Sequence, residues 1–387
     1  MNLYIHRCLK ILTSTVLLCG AVTAPYSAAS SSLDWFVQPV YGWIDTYSDG
    51  YALIKQNDKW GYLDETAKVV IEPQYESASA FVDGIAVVDK PGGPRTFINK
   101  RQEPLFATEF KAAFSFSEGL AGVKQDRLWG FINREGTLVI DYQFDNVEKF
   151  KEGRCIVGKD QRYGIIDASG RYIVEPVLAY ARFYSEGYVA VQVPTNHKIT
   201  YLDGRIGWKA PKMIGTVTID YFTYLDKNGA MAFYNTAHEK ETRESMKDSK
   251  STLRYFNAAY PFSTGYAAVR HDKLWGFIGT DGVYSIPPKY KRIIPFGDTA
   301  IAFVLKREGR WLAINHSGEN LFTIKADDAW PYSEGFAKIR TDGKYGFIDD
   351  RGKAVTAVEF DDAYDVKGGL AQVKMNGKWG LLRLRKP

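Results

Sequence analysis

Cysteine and histidine are scarce in this sequence of 387 residues, which contains three of the former and five of the latter. Cys8 and Cys19 lie in an N-terminal segment that we expect to be removed, so only Cys155 remains and no internal disulfide can form. The histidines are dispersed, and His238-Glu239 lacks the second histidine that a zinc-protease helix carries four residues later. We therefore expect no metal site, no cofactor and no disulfide.

An excess of charge of one sign is also missing. The chain has 50 basic and 45 acidic residues, and removal of Arg7 and Lys10 with the N-terminal segment leaves 48 against 45, a net charge of +3. No basic stripe interrupts this balance, so nucleic acid is not an expected partner. Aromatic residues make up 14% of the chain, which favours strands because flat rings pack well on a pleated surface.

Residues 1–29 have the three parts of a secretory signal peptide. Basic residues near the start precede an apolar run from Ile11 to Val22, and small residues follow around Ala28 and Ala29. The alternative is a membrane anchor, but a helix needs about 20 apolar residues to span a bilayer and this run is shorter. We expect cleavage after Ala29, no stable membrane span after it, and export to the periplasm or the extracellular space.

The rest of the chain is organised by an internal repeat. Its clearest copies begin at Glu118, Glu152 and Glu186, which are 34 residues apart, and about ten copies can be traced. Each combines an apolar segment, an aromatic residue followed by glycine, and a polar turn. The aromatic-glycine pair occurs at Tyr41-Gly42, Trp60-Gly61, Trp129-Gly130, Tyr163-Gly164, Trp275-Gly276, Tyr345-Gly346 and Trp379-Gly380.

These residues resemble the WG-repeat family, also called KWG after forms such as Lys59-Trp60-Gly61 and Lys378-Trp379-Gly380. The resemblance covers most of residues 37–385 and departs from the family pattern in residues 192–262, where the spacing is irregular and the glycine is lost. It implies a tandem array of all-β repeats. It supports the architecture far better than any activity, because a fold does not fix a function.

One repeat can be interpreted residue by residue. Alternating faces after Glu118 predict a strand, the short turn 125–127 follows, and Trp129 to Ile132 predict a second strand. Leu138 to Ile140 predict a short third strand that ends near a proline in several copies. We expect a loop or a single helical turn over residues 144–150. The glycine of the pair is expected to let a neighbouring backbone or ring approach closely.

Each unit exposes an apolar face that it cannot cover alone, so neighbouring units must stack. With three strands in 34 residues and about ten units, we expect an open solenoid or superhelix; a closed β-propeller is the alternative, although its units usually have four strands and its rings about eight blades at most. The predicted regions are a signal peptide (1–29), an N-terminal array (30–191), irregular repeats with a polar insertion at 235–254 (192–262) and a C-terminal array (263–387).

Candidate catalytic groups have simpler structural interpretations. Cys155 stands where Ala121 and Val189 stand in adjacent copies, which predicts a buried thiol. The pairs Asp327-Asp328, Asp349-Asp350 and Asp361-Asp362 lie in turn or loop positions of separate repeats. A hydrolase acting on glycan or peptidoglycan would instead need two of these carboxylates to face each other within about 5–10 Å.

The expected function is therefore that of a non-catalytic, exported binding or scaffold protein whose repeat surface meets another protein or a cell-envelope component. The glycan hydrolase and a binder that neutralises an exported protein are the alternatives. The recurring tryptophans are expected in the core, whereas tryptophans outside the repeat frame and the polar insertion are better placed to bind. The candidate partner-binding residues are Trp35, Trp43, Trp208, Trp330, His238 and Arg243.

Overall fold

The computed structural model describes residues 33–193, 200–202, 205–207, 221–230, 232, 256–307 and 309–386. Within these ranges the chain forms 35 strands and no helix, which confirms the predicted all-β class. In the same ranges no helix is long and apolar enough to cross a membrane. The predicted signal peptide and the polar insertion 235–254 lie outside the described residues.

The strands form small antiparallel sheets that follow one another as the blades of a propeller, nine in the described part of the chain. We number the blades in chain order and name their strands A to D from the inner edge outward. Blades 1 to 4 consist of Trp43–Ile44, Tyr51–Gln56, Lys59–Asp64 and Val69–Tyr75; Ser77–Ala78, Ile85–Asp89 and Arg95–Asn99; Ala112–Ala113, Ala121–Gln125, Leu128–Ile132 and Leu138–Phe144; and Asn146–Val147, Arg154–Lys159, Arg162–Asp167 and Tyr172–Leu178.

Blade 5 is irregular because a separate hairpin lies between its strands, whereas the strands of blades 6, 7 and 8 follow one another directly. The strands of blades 5 to 8 are Tyr180–Ala181, Val189–Val193 and Tyr221–Leu225; Ala258–Ala259, Tyr266–His271, Leu274–Gly279 and Tyr284–Tyr290; Ile293–Ile294, Ala302–Arg307, Arg310–Ile314 and Asn320–Lys325; and Asp328–Ser333, Phe336–Thr341 and Lys344–Asp349. A separate hairpin, Thr200–Leu202 with Arg205–Gly207, interrupts blade 5. The irregular stretch 192–262 thus contains this inserted hairpin as well as a strand of blade 5, which explains why the described chain has nine blades where about ten repeats were expected.

Blade 9 joins the two ends of the described chain. Its inner strands are Asp362–Ala363, Leu370–Met375 and Lys378–Arg383, and its outermost strand is the N-terminal segment Trp35–Tyr41. Trp35 is paired with Leu382, and Tyr41 is paired with Trp379. Because the first strand completes the last sheet, the array closes on itself. The β-propeller, our alternative architecture, is confirmed, and the open solenoid does not form.

Strand A of each blade was not predicted from the sequence. The predicted hairpin is confirmed, with Ala121 opposite Ile132, but residues 144–150 do not form a loop or a helical turn alone. They contain strand A of blade 4, Asn146–Val147, which pairs with Gly158 and Val157. A strand of two residues is too short to show an alternating pattern, so the fourth strand escaped detection.

In the six aromatic-glycine pairs other than Tyr41-Gly42, the glycine lies on strand C where the outermost segment of the blade comes close to it. A Cβ at Gly61 would be 2.4 Å from the carbonyl oxygen of Ile71 and 2.6 Å from the nitrogen of Pro73. The expected close backbone approach is therefore confirmed. Strand D does not end at the proline, however. It continues to Tyr75, because proline is tolerated in an edge strand where the pairing shifts at a bulge.

The hydrophobic core is divided among the interfaces between consecutive blades. In the described residues nine clusters follow the ring, and each combines side chains of two neighbouring blades. The cluster between blades 3 and 4, for example, packs Trp129, Phe131 and Phe144 against Val157 and Cys155. The cluster that closes the ring joins Leu381 of blade 9 to blade 1. These interfaces hold the inner strands in a fixed arrangement.

Candidate binding surface on the inner strands

The inner strands carry a recurring combination of aromatic and cationic side chains. Residues at the end of strand B lie over the aromatic ring of the aromatic-glycine pair on strand C. Such contacts between a cation and a ring face are attractive, and they are strongest where water is partly excluded. The ammonium or guanidinium lies 5.6–5.8 Å from the ring centre in Lys55–Trp60, Lys124–Trp129, Arg270–Trp275 and Lys374–Trp379.

The richest concentration lies on three consecutive blades and consists of Trp330, Lys338, Tyr364, Trp379 and Trp43; we call it the aromatic sector. The rings of Trp43 and Tyr364 are 5.4 Å apart, and those of Trp43 and Trp379 are 5.1 Å apart. Trp43 belongs to strand A of blade 1, Tyr364 follows strand A of blade 9, and Trp330 lies on strand A of blade 8. Ring closure is what brings Trp43 beside Tyr364.

Lys338 links the two halves of the aromatic sector. Its Nζ lies 4.7 Å from the ring centre of Trp330 and 5.7 Å from that of Tyr364. The side chain is 8% exposed, and its ammonium donates to the carbonyl oxygen of Ala363 at 3.0 Å and lies 3.3 Å from the carboxylate of Asp365. The buried charge is therefore paired, as a buried ammonium requires, and it holds the two rings in fixed positions.

Asp45 is a second carboxyl group, besides Asp365, that adjoins the aromatic sector. Burial raises the pKa of Asp45 above its usual range, against the opposing influences of Lys367 and of a hydrogen bond from Trp43. Asp45 follows strand A of blade 1 directly, so it lies at the same edge of the ring as Trp43. The sector thus combines flat apolar surface with groups of both charges.

Of the six candidate partner-binding residues predicted from the sequence, the structure brings two together in the aromatic sector. Trp43 and Trp330 both belong to the aromatic sector, although they are far apart in the sequence. Trp35 lies on the outermost strand of blade 9, where its half-buried ring meets the edge of Phe360 at 6.4 Å. Trp208, His238 and Arg243 lie outside the described residues.

Two members of the aromatic sector were missed by the sequence interpretation. Tyr364 and Lys338 lie in copies whose sequences are otherwise ordinary, and they are recognised only by their positions, directly after strand A of blade 9 and on strand B of blade 8. The repeat frame could have found Tyr364, because Tyr260 stands at the corresponding position of blade 6, two residues after the start of strand A.

The candidate catalytic carboxylates are engaged in local structure. The side chain of Asp349 accepts hydrogen bonds from the backbone of Arg351 at 2.9 Å and of Lys353 at 2.8 Å. Asp361 accepts from Lys344 at 2.6 Å and from the backbone of Gly377 at 2.9 Å. These bonds outweigh burial and keep the pKa of both carboxyl groups below the usual range. Both are turn-stabilising anions.

Cys155 is buried in the cluster between blades 3 and 4, as expected from its place in the repeat. Its Sγ donates to the carbonyl oxygen of Glu148 at 3.1 Å. Burial raises the pKa of the thiol far above its usual range, which removes the thiolate that a nucleophile needs. Among the described residues, no group of three or more His, Cys, Asp or Glu side chains could hold a metal ion.

Comparison with known proteins identifies a family but no individual curated relative. No curated protein matches the chain. Among solved structures, a eukaryotic initiation factor is similar with a TM-score of 0.54 and 10% identity over 84% of this chain and 89% of that chain. BamB from Moraxella catarrhalis has a TM-score of 0.36 and 11% identity over 94% of this chain and 100% of that chain. The first similarity concerns the fold alone.

The family model described as the WG containing repeat matches nine segments of the chain. They cover residues 33–60, 60–92, 96–129, 129–163, 163–193, 255–275, 275–311, 313–345 and 345–379. Every match begins or ends at the aromatic residue on strand C, so one sequence repeat spans parts of two blades. This offset is the arrangement that lets the N-terminal strand complete blade 9. The chain belongs to the family of WG-repeat proteins.

Proposed function

We propose that this WG-repeat propeller is a non-catalytic, exported binding protein that presents the aromatic sector to another protein or to a cell-envelope component. One observation carries the proposal: Trp330 and Tyr364 lie on either side of the ammonium of Lys338, and Trp43 of the next blade contacts Tyr364 at 5.4 Å, so that rings of three consecutive blades meet. Tyr364 remains 45% exposed, so the sector offers ring surface to a partner as well as packing within the ring.

This combination is suited to recognition. Interfaces owe most of their affinity to a few tyrosine, tryptophan and arginine side chains in rigid, well-packed surroundings. Here the rings of Trp43, Tyr364 and Trp379 contact one another at 5.1–5.6 Å. Trp379 belongs to the hydrophobic cluster between blades 9 and 1, and Trp43 packs against that cluster. A rigid surface loses little conformational entropy when a partner binds.

The hydrolase alternative receives less support from the described residues. Asp349 accepts hydrogen bonds from Arg351 within its own turn. Asp361 accepts from Lys344 of blade 8 and from the backbone of Gly377, and Asp327 accepts from the backbone of Asp342 at 2.9 Å. A glycosidase acid needs a raised pKa, whereas the pKa values of Asp349 and Asp361 are lowered. This use of the sequence-predicted carboxylates supports the proposed non-catalytic role.

Capture experiments can test the role of the aromatic sector. The mature chain, Tyr364→Ala and Leu321→Ala would each be immobilised and exposed to envelope extract, and captured proteins or glycans would be identified by mass spectrometry. Leu321 is 45% exposed on the outer strand of blade 7, which makes it a matched control away from the sector. We expect a specific partner that Tyr364→Ala loses and Leu321→Ala retains; equal capture by all three contradicts the proposal.

Two further measurements test whether the protein lacks hydrolase activity and whether it is exported. Incubation with purified peptidoglycan should release no soluble fragments, and time-dependent release would favour the hydrolase. N-terminal sequencing of the cellular protein should show that residues 1–29 are absent. An intact Met1 on most of the pool would contradict export by a cleaved signal peptide.

A further inference from the structure

A second cluster lies on the inner strands of blades 5 and 6 and contains two arginines. The guanidinium carbon of Arg182 is 5.4 Å from the ring centre of Tyr260 and 6.0 Å from that of Tyr180. Tyr260 and Trp275 are 5.3 Å apart, and Arg270 lies over Trp275 at 5.6 Å. The two cations therefore flank one pair of aromatic rings.

Blade 8 shows how the same arrangement looks when its charge is balanced. Asp328 on strand A is the cross-strand partner of Arg340 on strand B, and the two form an ion pair. Arg292, from the neighbouring blade 7, approaches the same carboxylate at 3.6 Å. One carboxylate thus serves two arginines that come from adjacent blades.

Blade 6 has the arginine without the carboxylate. The cross-strand partner of Arg270 is Ala258, at the position that Asp328 occupies in blade 8. No carboxylate among the described residues forms an ion pair with Arg182 or Arg270. In the same part of the chain, the buried Nε atoms of both arginines have no hydrogen-bond partner, as is also true of Arg340, so the difference from blade 8 lies in the missing carboxylate.

This pattern is unfavourable for folding alone. Neither partly buried guanidinium has a carboxylate among the described residues to balance its charge, and a buried N–H without an acceptor costs about 1–3 kcal/mol. Groups of this kind are retained at binding sites, because a ligand that supplies the missing acceptor gains from both charges. Guanidinium groups suit a carboxylate best, since their N–H groups match its two oxygens.

We propose that Arg182 and Arg270 bind the carboxylate of a ligand, which stands in for the aspartate that blade 8 provides itself. The ligand's apolar or aromatic part lies against Tyr260 and Tyr180, and Tyr180 is 38% exposed at this edge. The inference deepens the proposed binding role by assigning a ligand class, but it concerns a different surface from the aromatic sector. Peptides with acidic or C-terminal carboxylates carry this chemistry.

Calorimetric titration with 3-phenylpropionate tests the site directly. We expect saturable binding to the mature chain that weakens about tenfold or more in Arg182→Gln and in Arg270→Gln, since each removes charge-assisted hydrogen bonds. Arg127→Gln, at an exposed arginine in a turn of blade 3, should leave binding unchanged. The neutral amide 3-phenylpropionamide should not bind. Inorganic phosphate should bind more weakly, and equal affinity for phosphate would overturn the assignment of a carboxylate.

Ala258→Asp provides a second test, in which we expect binding to be lost while stability increases. The new carboxylate should pair with Arg270 as Asp328 pairs with Arg340, so the melting temperature rises while 3-phenylpropionate binding is lost. Ala258→Asn introduces a side chain of similar size without a charge, so it should neither raise the melting temperature nor abolish binding. Absence of saturable binding to the mature chain, or binding that survives both arginine variants, overturns the proposal. These results are independent of capture through Tyr364, so either proposal can fail without the other.

Discussion

The carbonyl oxygen of Val37 lies directly against Gly380, where a Cβ would come within 2.6 Å of it. Val37 is near the N-terminal end of the described chain and Gly380 is near its C-terminal end. The contact repeats the one between Ile71 and Gly61 inside blade 1, where the corresponding distance is 2.4 Å. Ring closure therefore uses the same close approach of strands C and D that each ordinary blade uses.

Gly380→Ala should weaken that closure. The added methyl group meets backbone atoms of Val37 and Pro39, which cannot move away as a side-chain end can, so the strands must separate. We expect a loss of about 1–3 kcal/mol in the free energy of unfolding, the usual cost of overpacking. Urea denaturation followed by circular dichroism measures it.

Gly158→Ala is the matched control for this substitution. Gly158 stands on strand B at the position where Lys55 and Lys124 stand in other blades, and the nearest atom to an added Cβ is a side-chain carbon at 3.3 Å. It should change stability by much less than Gly380→Ala. Equal losses in the two variants would show that the contact with Val37 has no special role.

The turns between strands A and B form a second connection around the ring. Glu118 and Gly119 both have positive φ angles, of 53° and 84°, and the Glu118 carboxylate accepts hydrogen bonds from the backbone of Glu152 and of Gly153 in the next blade, both at 2.7 Å. Glu118→Ala should cost about 1 kcal/mol, because two amides lose a charged acceptor but remain accessible to water.

Thermal denaturation measures the effect of Glu118→Ala, and Glu135→Ala serves as its control. Glu135 is exposed on a turn of the same blade. A melting temperature lowered by Glu118→Ala alone supports the inter-blade connection. Identical curves for the two variants would mean that water replaces the carboxylate without loss.

The repeat and its hairpin could be predicted from sequence because their signals are local. Alternation around Val123 and the glycine at position 130 depend only on neighbouring residues. Closure depends on Trp35–Tyr41 meeting Lys378–Arg383, and no local pattern records that pairing. The number of units per ring depends on the small rotation between blades, which side-chain packing at each interface sets. The open solenoid was favoured because the two-residue strand A was invisible.

The aromatic sector was predictable only in part. Trp43 and Trp330 were identified because they fall outside the repeat frame, but Tyr364 connects them only after the ring has closed. The arginine site was harder to detect. Arg270 looks like an ordinary strand residue, and its meaning emerges from the pairing of Ala258 where blade 8 has Asp328.

Asp349 predicts a dependence of stability on pH. Burial raises its pKa, but hydrogen bonds from the backbone of Lys353 and from Arg351 outweigh burial and lower it. A lowered folded-state pKa stabilises the protein above the unfolded-state pKa of about 4, and the contribution is lost as the pH falls through the folded-state value. Asp349→Asn should reduce this dependence, since Asn133 and Asn315 accept the same turn hydrogen bonds elsewhere.

Urea denaturation at about pH 7 and about pH 3 tests this expectation. The difference in unfolding free energy between the two conditions should be smaller in Asp349→Asn than in the unsubstituted chain. Asp141→Asn, at an exposed aspartate of blade 3, should leave the difference unchanged. An unaltered difference in Asp349→Asn would exclude Asp349 as a source of acid sensitivity.

The thiol of Cys155 should resist modification as long as the propeller is folded. It is 1% exposed and lies between blades 3 and 4, and burial raises its pKa, so little thiolate forms at neutral pH. We expect iodoacetamide to leave the peptide containing Cys155 unmodified in native protein and to modify it fully in denaturant, as measured by mass spectrometry. Cys155→Ala should fold with a loss of about 1 kcal/mol, because Ala121 fills the same position in the preceding blade. Rapid alkylation of the native chain would instead show that the interface between blades 3 and 4 opens readily, which would contradict a rigid ring.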